Sequence, residues 1–169
     1  NAIRVLTHQQ TGKDIGGTQL TYTTLASIAK YPCESVAKKK GILHRKKFGF
    51  FQNEKDIFLD IAESTSMIQE SSDPYIYKRN PFVWLVEAAD DICYNIIDME
   101  DAHRLGIIST SDCEGLFYEL VASENNNKAR VDQKLAQITN TNERISYLRA
   151  KVINALINNA IESYKSNFE

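Results

Sequence analysis

An all-α protein is what the sequence predicts, and three observations carry that reading. Only 7 Gly and 3 Pro punctuate 169 residues, too few for a many-stranded fold. Apolar residues recur at three- and four-residue steps along an unbroken run from Asn80 to about Arg104, the period of a helix face. Helix-terminal signals bracket the runs. Asn80-Pro81 precedes the longest and Gly106 follows it, and Ser111 with Glu114 opens the next.

Taken in order, Leu20–Lys30 reads as a short helix with Leu25, Ile28 and Ala29 inward. It ends before Pro32, because the residue preceding proline disfavours the α region. Residues 32–52 read as a loop broken by Gly41 and Gly49. Asn53 is the expected N-cap of a helix with Ile57, Phe58, Ile61 and Ala62 on one face, and the early acids Glu54 and Asp56 suit its dipole. Ser71–Tyr77 reads as a connector. From Asn80 the helical pattern spans about 36 Å at 1.5 Å per residue and stops at Gly106. The next helix, capped by Ser111 and Glu114, carries Leu116, Phe117, Leu120 and Val121. Asn125–Asn127 breaks the chain, a polar helix follows to about Ile138, and a last long one begins near Glu143. That helix places Ile145, Leu148, Val152, Leu156 and Tyr164 at core spacing. No internal repeat is present.

Composition narrows the function classes. Hydrophobic residues make up 43% and charged residues 25%, with a net charge of -2, which is ordinary for a water-soluble globular chain. No apolar run approaches the roughly 20 residues of a membrane span. Three cysteines, Cys33, Cys93 and Cys113, are too few and odd in number for a disulfide framework, so a reducing, cytoplasmic setting is expected. The charge is unevenly spread. Lys30–Lys47 holds seven cations against Glu34 alone, and Gln52–Asp101 holds twelve acids against Lys55, Lys78 and Arg79. Such asymmetry suits an anionic partner at the first segment.

The segment Phe82-Val-Trp-Leu-Val-Glu-Ala-Ala-Asp-Asp-Ile-Cys-Tyr-Asn-Ile-Ile-Asp-Met-Glu-Asp101 is the most informative. Leu85, Ala89, Ile92, Ile96 and Met99 form one apolar stripe. Another stripe holds Glu87, Asp90, Asp91, Tyr94, Asp98 and Asp101, with Asp90, Tyr94 and Asp98 at i, i+4 and i+8. An acidic solvent face is the plain alternative. Against it stand the small Ala88-Ala89 pair, suited to close packing, and the repulsion between acids four apart. A carboxylate buried among helices needs a partner, for which a divalent metal is natural.

This segment, extended back to Arg79-Asn-Pro, closely resembles a hallmark of the bacterial deoxyguanosinetriphosphate triphosphohydrolases, part of the HD-domain phosphohydrolases. Leu20-Thr-Tyr-Thr-Thr-Leu-Ala-Ser-Ile-Ala-Lys-Tyr-Pro32, Lys47-Phe-Gly-Phe-Phe-Gln-Asn-Glu-Lys55 and Glu143-Arg-Ile-Ser-Tyr-Leu-Arg-Ala-Lys-Val-Ile-Asn-Ala-Leu-Ile157 are similar to family segments in the same order. The resemblance implies a helical bundle of the HD-domain type, with its last helices over residues 1–108 and a C-terminal helical region over 109–169. It implies hydrolysis of a deoxynucleoside triphosphate, with dGTP foremost, to deoxynucleoside and tripolyphosphate. It also implies a divalent metal (Mg, Mn, Fe or similar) held by two histidines, a His-Asp doublet and a distant aspartate. Asp90 matches that aspartate, and Tyr94 and Asp98 match residues lining the sugar. A homo-oligomer built from dimers is implied as well.

The sequence departs from the family at the other ligands. His8, His44 and His103 are its only histidines, none is followed by Asp, and no residue here matches a catalytic one. The chain opens at Asn1 rather than methionine. It is therefore expected to be the C-terminal part of a longer enzyme, incomplete at its N-terminus and inactive alone. The basic loop, Lys38–Lys40 and Arg45–Lys47 beside Phe48, Phe50 and Phe51, has a second reading as a grip for single-stranded DNA or an allosteric nucleotide. The competing reading is a solvated loop with Phe50 and Phe51 anchored in the core. Arg149 and Lys151 are candidates to face a phosphate pocket. The alternative to an enzyme part is a non-catalytic helical module that oligomerises or binds nucleic acid.

Overall fold

A computed structural model describes residues 2–9, 17–122 and 128–167. Its described elements are seven α-helices, three single-turn 3₁₀ helices and one two-stranded sheet, so the all-α class holds with a hairpin as the exception. By packing, the chain divides into two compact units, Asn1–Val86 and Glu87–Glu169. These are packing units, a different kind of boundary from the division at 108/109 that the resemblance implies. No helix among the described residues is long and apolar enough to cross a membrane.

The first unit opens with α1 (Ala2–Thr7), which the sequence reading did not anticipate, and which buries Ile3. Helix α2 is shorter than expected, Tyr22–Ser27, with the Thr21 hydroxyl accepting from the Thr24 N–H at 3.3 Å. Helix α3 (Lys55–Ser64) follows a 3₁₀ turn over Gln52–Glu54. Asn53 lies inside that turn, so Glu54 rather than Asn53 occupies the capping position, and it makes no side-chain cap. Phe58, Ile61 and Ala62 are buried as expected, while Ile57 is half-buried. Phe50 stacks on Phe58 at 4.2 Å between ring centroids, and Phe58 meets Tyr77 edge-on at 6.0 Å. Aromatic pairs of this kind add about 0.5–1.5 kcal/mol beyond burial.

The expected connector at 71–77 is a hairpin: β1 (Gln69–Ser72) pairs antiparallel with β2 (Tyr75–Tyr77) around a cis Asp73–Pro74 peptide. The preceding loop completes it. Tyr77 donates to the Pro32 carbonyl, Glu34 N–H to the Tyr75 carbonyl, and Cys33 bridges to Ile76. Glu34, buried, accepts from the Tyr75 N–H at 2.7 Å and from Gln52 Nε2 at 2.8 Å, with Lys55 Nζ at 3.6 Å.

Helix α4 (Phe82–Arg104) starts as the sequence indicates: Asn80 Oδ1 accepts from the Phe82 N–H at 3.0 Å. It ends in a Schellman motif. Ile107 N–H donates to the Ala102 carbonyl, Gly106 N–H donates to His103, and Gly106 has φ +71°, a conformation glycine adopts without steric cost.

The second unit packs the body of α4 with α5 (Thr110–Ala122), α6 (Lys128–Leu135) and α7 (Thr141–Ser166). Ile96, Phe117, Val131, Ile145, Leu148 and Val152 are its buried centre. Leu156 and Tyr164 are half-buried. Helix α7 begins slightly before Glu143, because Asn140 Oδ1 caps the Glu143 N–H at 3.1 Å. Helix α5 is capped by Ser109, not Ser111, and Leu116 and Leu120 are exposed rather than buried. The expected break at Asn125–Asn127 lies outside the described residues. Arg144 joins three elements: it grips Glu114 with two bonds of 2.7 and 2.9 Å and donates to the Leu135 carbonyl at the end of α6.

Candidate functional site

Within the second unit, α4 presents two faces. Ile96 is buried, Ile92 and Met99 are half-buried, and Glu100 is buried beside them. Glu100 accepts from Arg104 at 3.0 Å and from Arg149. Arg149 therefore serves a structural carboxylate rather than a phosphate pocket. Ala89, expected in the apolar stripe, is exposed, because the packed face centres on Ile96.

The other face carries the sequence-predicted residues. Asp90, Tyr94 and Asp98 are all exposed, Tyr94 by 69%. Spaced at four residues, they are neighbours along one side of the helix, with Asp91 and Asp101 also exposed. The Asn95 amide donates to the Asp91 backbone carbonyl at 2.7 Å. An α-helix holds this row rigidly, and the row can meet a cation, or a sugar ring and its hydroxyl.

The histidines have other surroundings of their own. His44 pairs with Glu70 at 2.7 Å, His103 Nε2 lies 3.0 Å from the Thr110 hydroxyl, and His8 is exposed. Among the described residues no group of three or more His, Cys, Asp or Glu is placed to hold a metal ion. One carboxylate offers at most two oxygens, whereas a divalent cation takes several ligands. The described residues do not by themselves build a metal site.

A second candidate lies in the first unit. A pocket of about 490 Å³ has Lys30, Lys38 and Lys47 at its edge with Tyr31, Phe48 and Phe51, over a floor of Ile3, Ile28 and Ala29. Lys47 Nζ lies 5.9 Å from the Tyr31 ring, and the Arg4 guanidinium 4.3 Å from the Phe51 ring. Phe50 is core, but Phe51 is 37% exposed. The loop is anchored from within. Arg45 Nε donates to the Ala37 carbonyl at 2.8 Å, and the buried Cys33 thiol points at the Lys47 carbonyl at 3.4 Å. Burial pushes the Cys33 thiol up, Arg45 lowers it less, and Glu34 raises it further. It is a structural thiol rather than a nucleophile. Gly49 passes so close to the Tyr31 carbonyl that a side chain there would collide with it. Lys39, Lys40 and Lys46 do not line the pocket. Sequence reasoning counted Lys30 in the basic segment but did not single out Tyr31 beside it, nor Arg4, which lies far from the loop along the chain. The only sequence signal was that Lys30 and Tyr31 border the basic run.

No family model matches the chain. It is 36% identical over 160 residues, 91% of its length, to a deoxyguanosinetriphosphate triphosphohydrolase-like protein of Synechocystis, covering 34% of that protein. A protein of the same description from Pseudomonas aeruginosa is 34% identical over 161 residues, 95% of this chain and 35% of the relative. One from Listeria monocytogenes is 28% identical over 162 residues, 90% of this chain and 32% of the relative. The chain thus spans about a third of the length of the curated relatives it matches.

Proposed function

Because this chain belongs with the deoxyguanosinetriphosphate triphosphohydrolase-like proteins, matching about a third of their length, we propose that it is the C-terminal helical part of a deoxynucleoside triphosphate hydrolase. The reaction releases deoxynucleoside and tripolyphosphate, with dGTP as the foremost substrate. Asp90 supplies one carboxylate to a divalent metal. Tyr94 places its ring under the deoxyribose, and Asp98 accepts from the 3′-hydroxyl. The other ligands and the catalytic residues come from outside this chain, which alone is inactive. The observation that carries the reading is the exposed row of Asp90, Tyr94 and Asp98 opposite the packed face of α4. A homo-oligomer is proposed on family grounds alone.

The test is Asp90→Ala in the whole protein. Loss of a residue that merely orients a metal ligand costs 10–100-fold, so loss of a ligand itself is expected to cut dGTP hydrolysis by at least about 100-fold. Metal content should fall with it. Stability should stay within about 0.5 kcal/mol, as for exposed positions. Unchanged metal content and hydrolysis would remove Asp90 as a ligand.

The lysine-edged aromatic pocket favours a second reading, a grip for single-stranded nucleic acid, in which stacking contributes about 1–3 kcal/mol per base. Replacing Lys30, Lys38 and Lys47, the lysines that line the pocket, with Gln should lower the slope of log binding constant against log salt by about 2, at roughly 0.7 per phosphate contact. An unchanged slope rules the pocket out.

A further inference from the structure

Helices α6 and α7 enclose a cleft of about 430 Å³ lined by Arg130, Gln133, Lys134 and Gln137 from one side and Tyr147 and Lys151 from the other. None of these six residues is acidic. The sorting follows from the helices themselves. Val131 and Leu135, four apart, turn α6 onto the core, and Arg130, Gln133 and Lys134 then fall on one outward stripe at i, i+3 and i+4. The acid of α6, Asp132, lies on another side, where it accepts from the Tyr118 hydroxyl at 2.6 Å. On α7, Leu148 and Val152 are buried, which sets Tyr147 and Lys151 together at i, i+4, with Lys151 Nζ 5.8 Å from the Tyr147 ring.

Helix stability does not account for this arrangement. Arg130 and Lys134 repel at i, i+4. A cation in the last turn favours the helix dipole, which explains Lys134 alone. Even there a terminal carbonyl is served otherwise, since Arg144 donates to that of Leu135 at 2.8 Å. What remains is a concave set of three cations, two carboxamides and a phenol. Such a set matches an extended oxyanion carrying several charges, and its volume exceeds the needs of one phosphate.

We propose that the α6–α7 cleft binds a phosphate chain, either a free linear oligophosphate or the backbone of a single strand. The site is separate from the α4 face and does not depend on the role given to Asp90. It also gives Lys151 the phosphate-facing role that Arg149 does not have.

The experiment titrates the protein with tripolyphosphate, orthophosphate and an oligothymidylate, beside a variant carrying Arg130→Gln, Lys134→Gln and Lys151→Gln. These positions lie outside the core, and far-UV circular dichroism checks that helicity is kept. Tripolyphosphate should bind about 10-fold more weakly to the variant, the product of three exposed ion contacts each worth a factor of about 2. The salt slope for the oligonucleotide should drop by about 2. Replacing Lys38, Lys39 and Lys40 should leave tripolyphosphate binding as it was. A larger loss of tripolyphosphate than of oligonucleotide binding in the cleft variant assigns the cleft to a free chain, and the reverse order of losses assigns it to a strand. The proposal is overturned if neither ligand binds the parent protein at low salt, if the cleft variant binds both as the parent does, or if only the loop variant loses tripolyphosphate.

Discussion

Glu100 and Asp90 lie on the same helix, one turned into the packing of the second unit and the other turned away from it. Glu100 is 4% exposed and satisfied by Arg104 and Arg149. Asp90 stands in an exposed row with Tyr94 and Asp98. A buried carboxylate survives only with partners, so Glu100 reports on how the fold is held. An exposed acidic row on a helix with an apolar opposite face costs repulsion and contributes nothing to the packing, which leaves it open to the binding role proposed for it. Acid count alone cannot separate the two; what each carboxylate faces can.

The largest effect expected on stability sharpens this contrast. Arg149→Ala leaves Glu100 buried with Arg104, a partner 61% exposed on its side chain. Losing one of two hydrogen-bonded cations from a buried carboxylate costs about 1.5–3 kcal/mol, measurable by urea denaturation. Asp90→Ala should leave the same curve almost unmoved, while the hydrolysis proposed for the whole protein falls by at least about 100-fold. Equal stability losses for the two variants would break the division of α4 into a structural and a functional face.

A smaller effect is expected at Glu34, the first unit's counterpart of Glu100. Burial pushes its carboxyl up, but hydrogen bonds from Gln52 and the Tyr75 N–H, with the Lys55 charge, outweigh that and hold it below 4.5. A carboxyl depressed in the folded state contributes stability that is present above its unfolded value and is lost as pH falls through the folded value. Stability should therefore decline in acid from about pH 4.5 downward. Glu34→Gln should cost about 1–3 kcal/mol at neutral pH through unsatisfied partners and flatten that acid limb. An acid limb of unchanged steepness removes Glu34 as its source.

What was legible in the sequence was mostly local. The start of α4 at Asn80, its end at Gly106 and the inward face of α3 depend on residues within a turn of one another. What was not legible depends on distant partners. Gln69–Ser72 contains no β-branched residue, and the hairpin forms because β2 also bonds to Pro32 and Glu34, some forty positions earlier. The pocket joins Lys30 and Tyr31 to Phe48 and Phe51 for the same reason. The i, i+4, i+8 row of Asp90, Tyr94 and Asp98 was visible at once, because helix geometry alone aligns it. Its exposure was left open between an acidic solvent face and a buried carboxylate, because the apolar stripe packs at Ile92, Ile96 and Met99 but not at Ala89.

The smallest effect tests that boundary between local and distant causes. Ser109 and Ser111 each have an acid three residues on, Asp112 and Glu114, so the local pattern offers two capping boxes. The structure uses the first: Ser109 Oγ accepts from the Asp112 N–H at 3.1 Å and donates to its carboxylate at 2.6 Å. The second is closed because Glu114 is held by Arg144, thirty positions away. Ser109→Ala should accordingly cost about 1 kcal/mol, the usual worth of an N-cap, and Ser111→Ala less than about 0.5 kcal/mol. Thermal melts of the two variants decide it. A larger loss for Ser111 would mean that the local pattern, not the Arg144–Glu114 pair, sets where α5 begins.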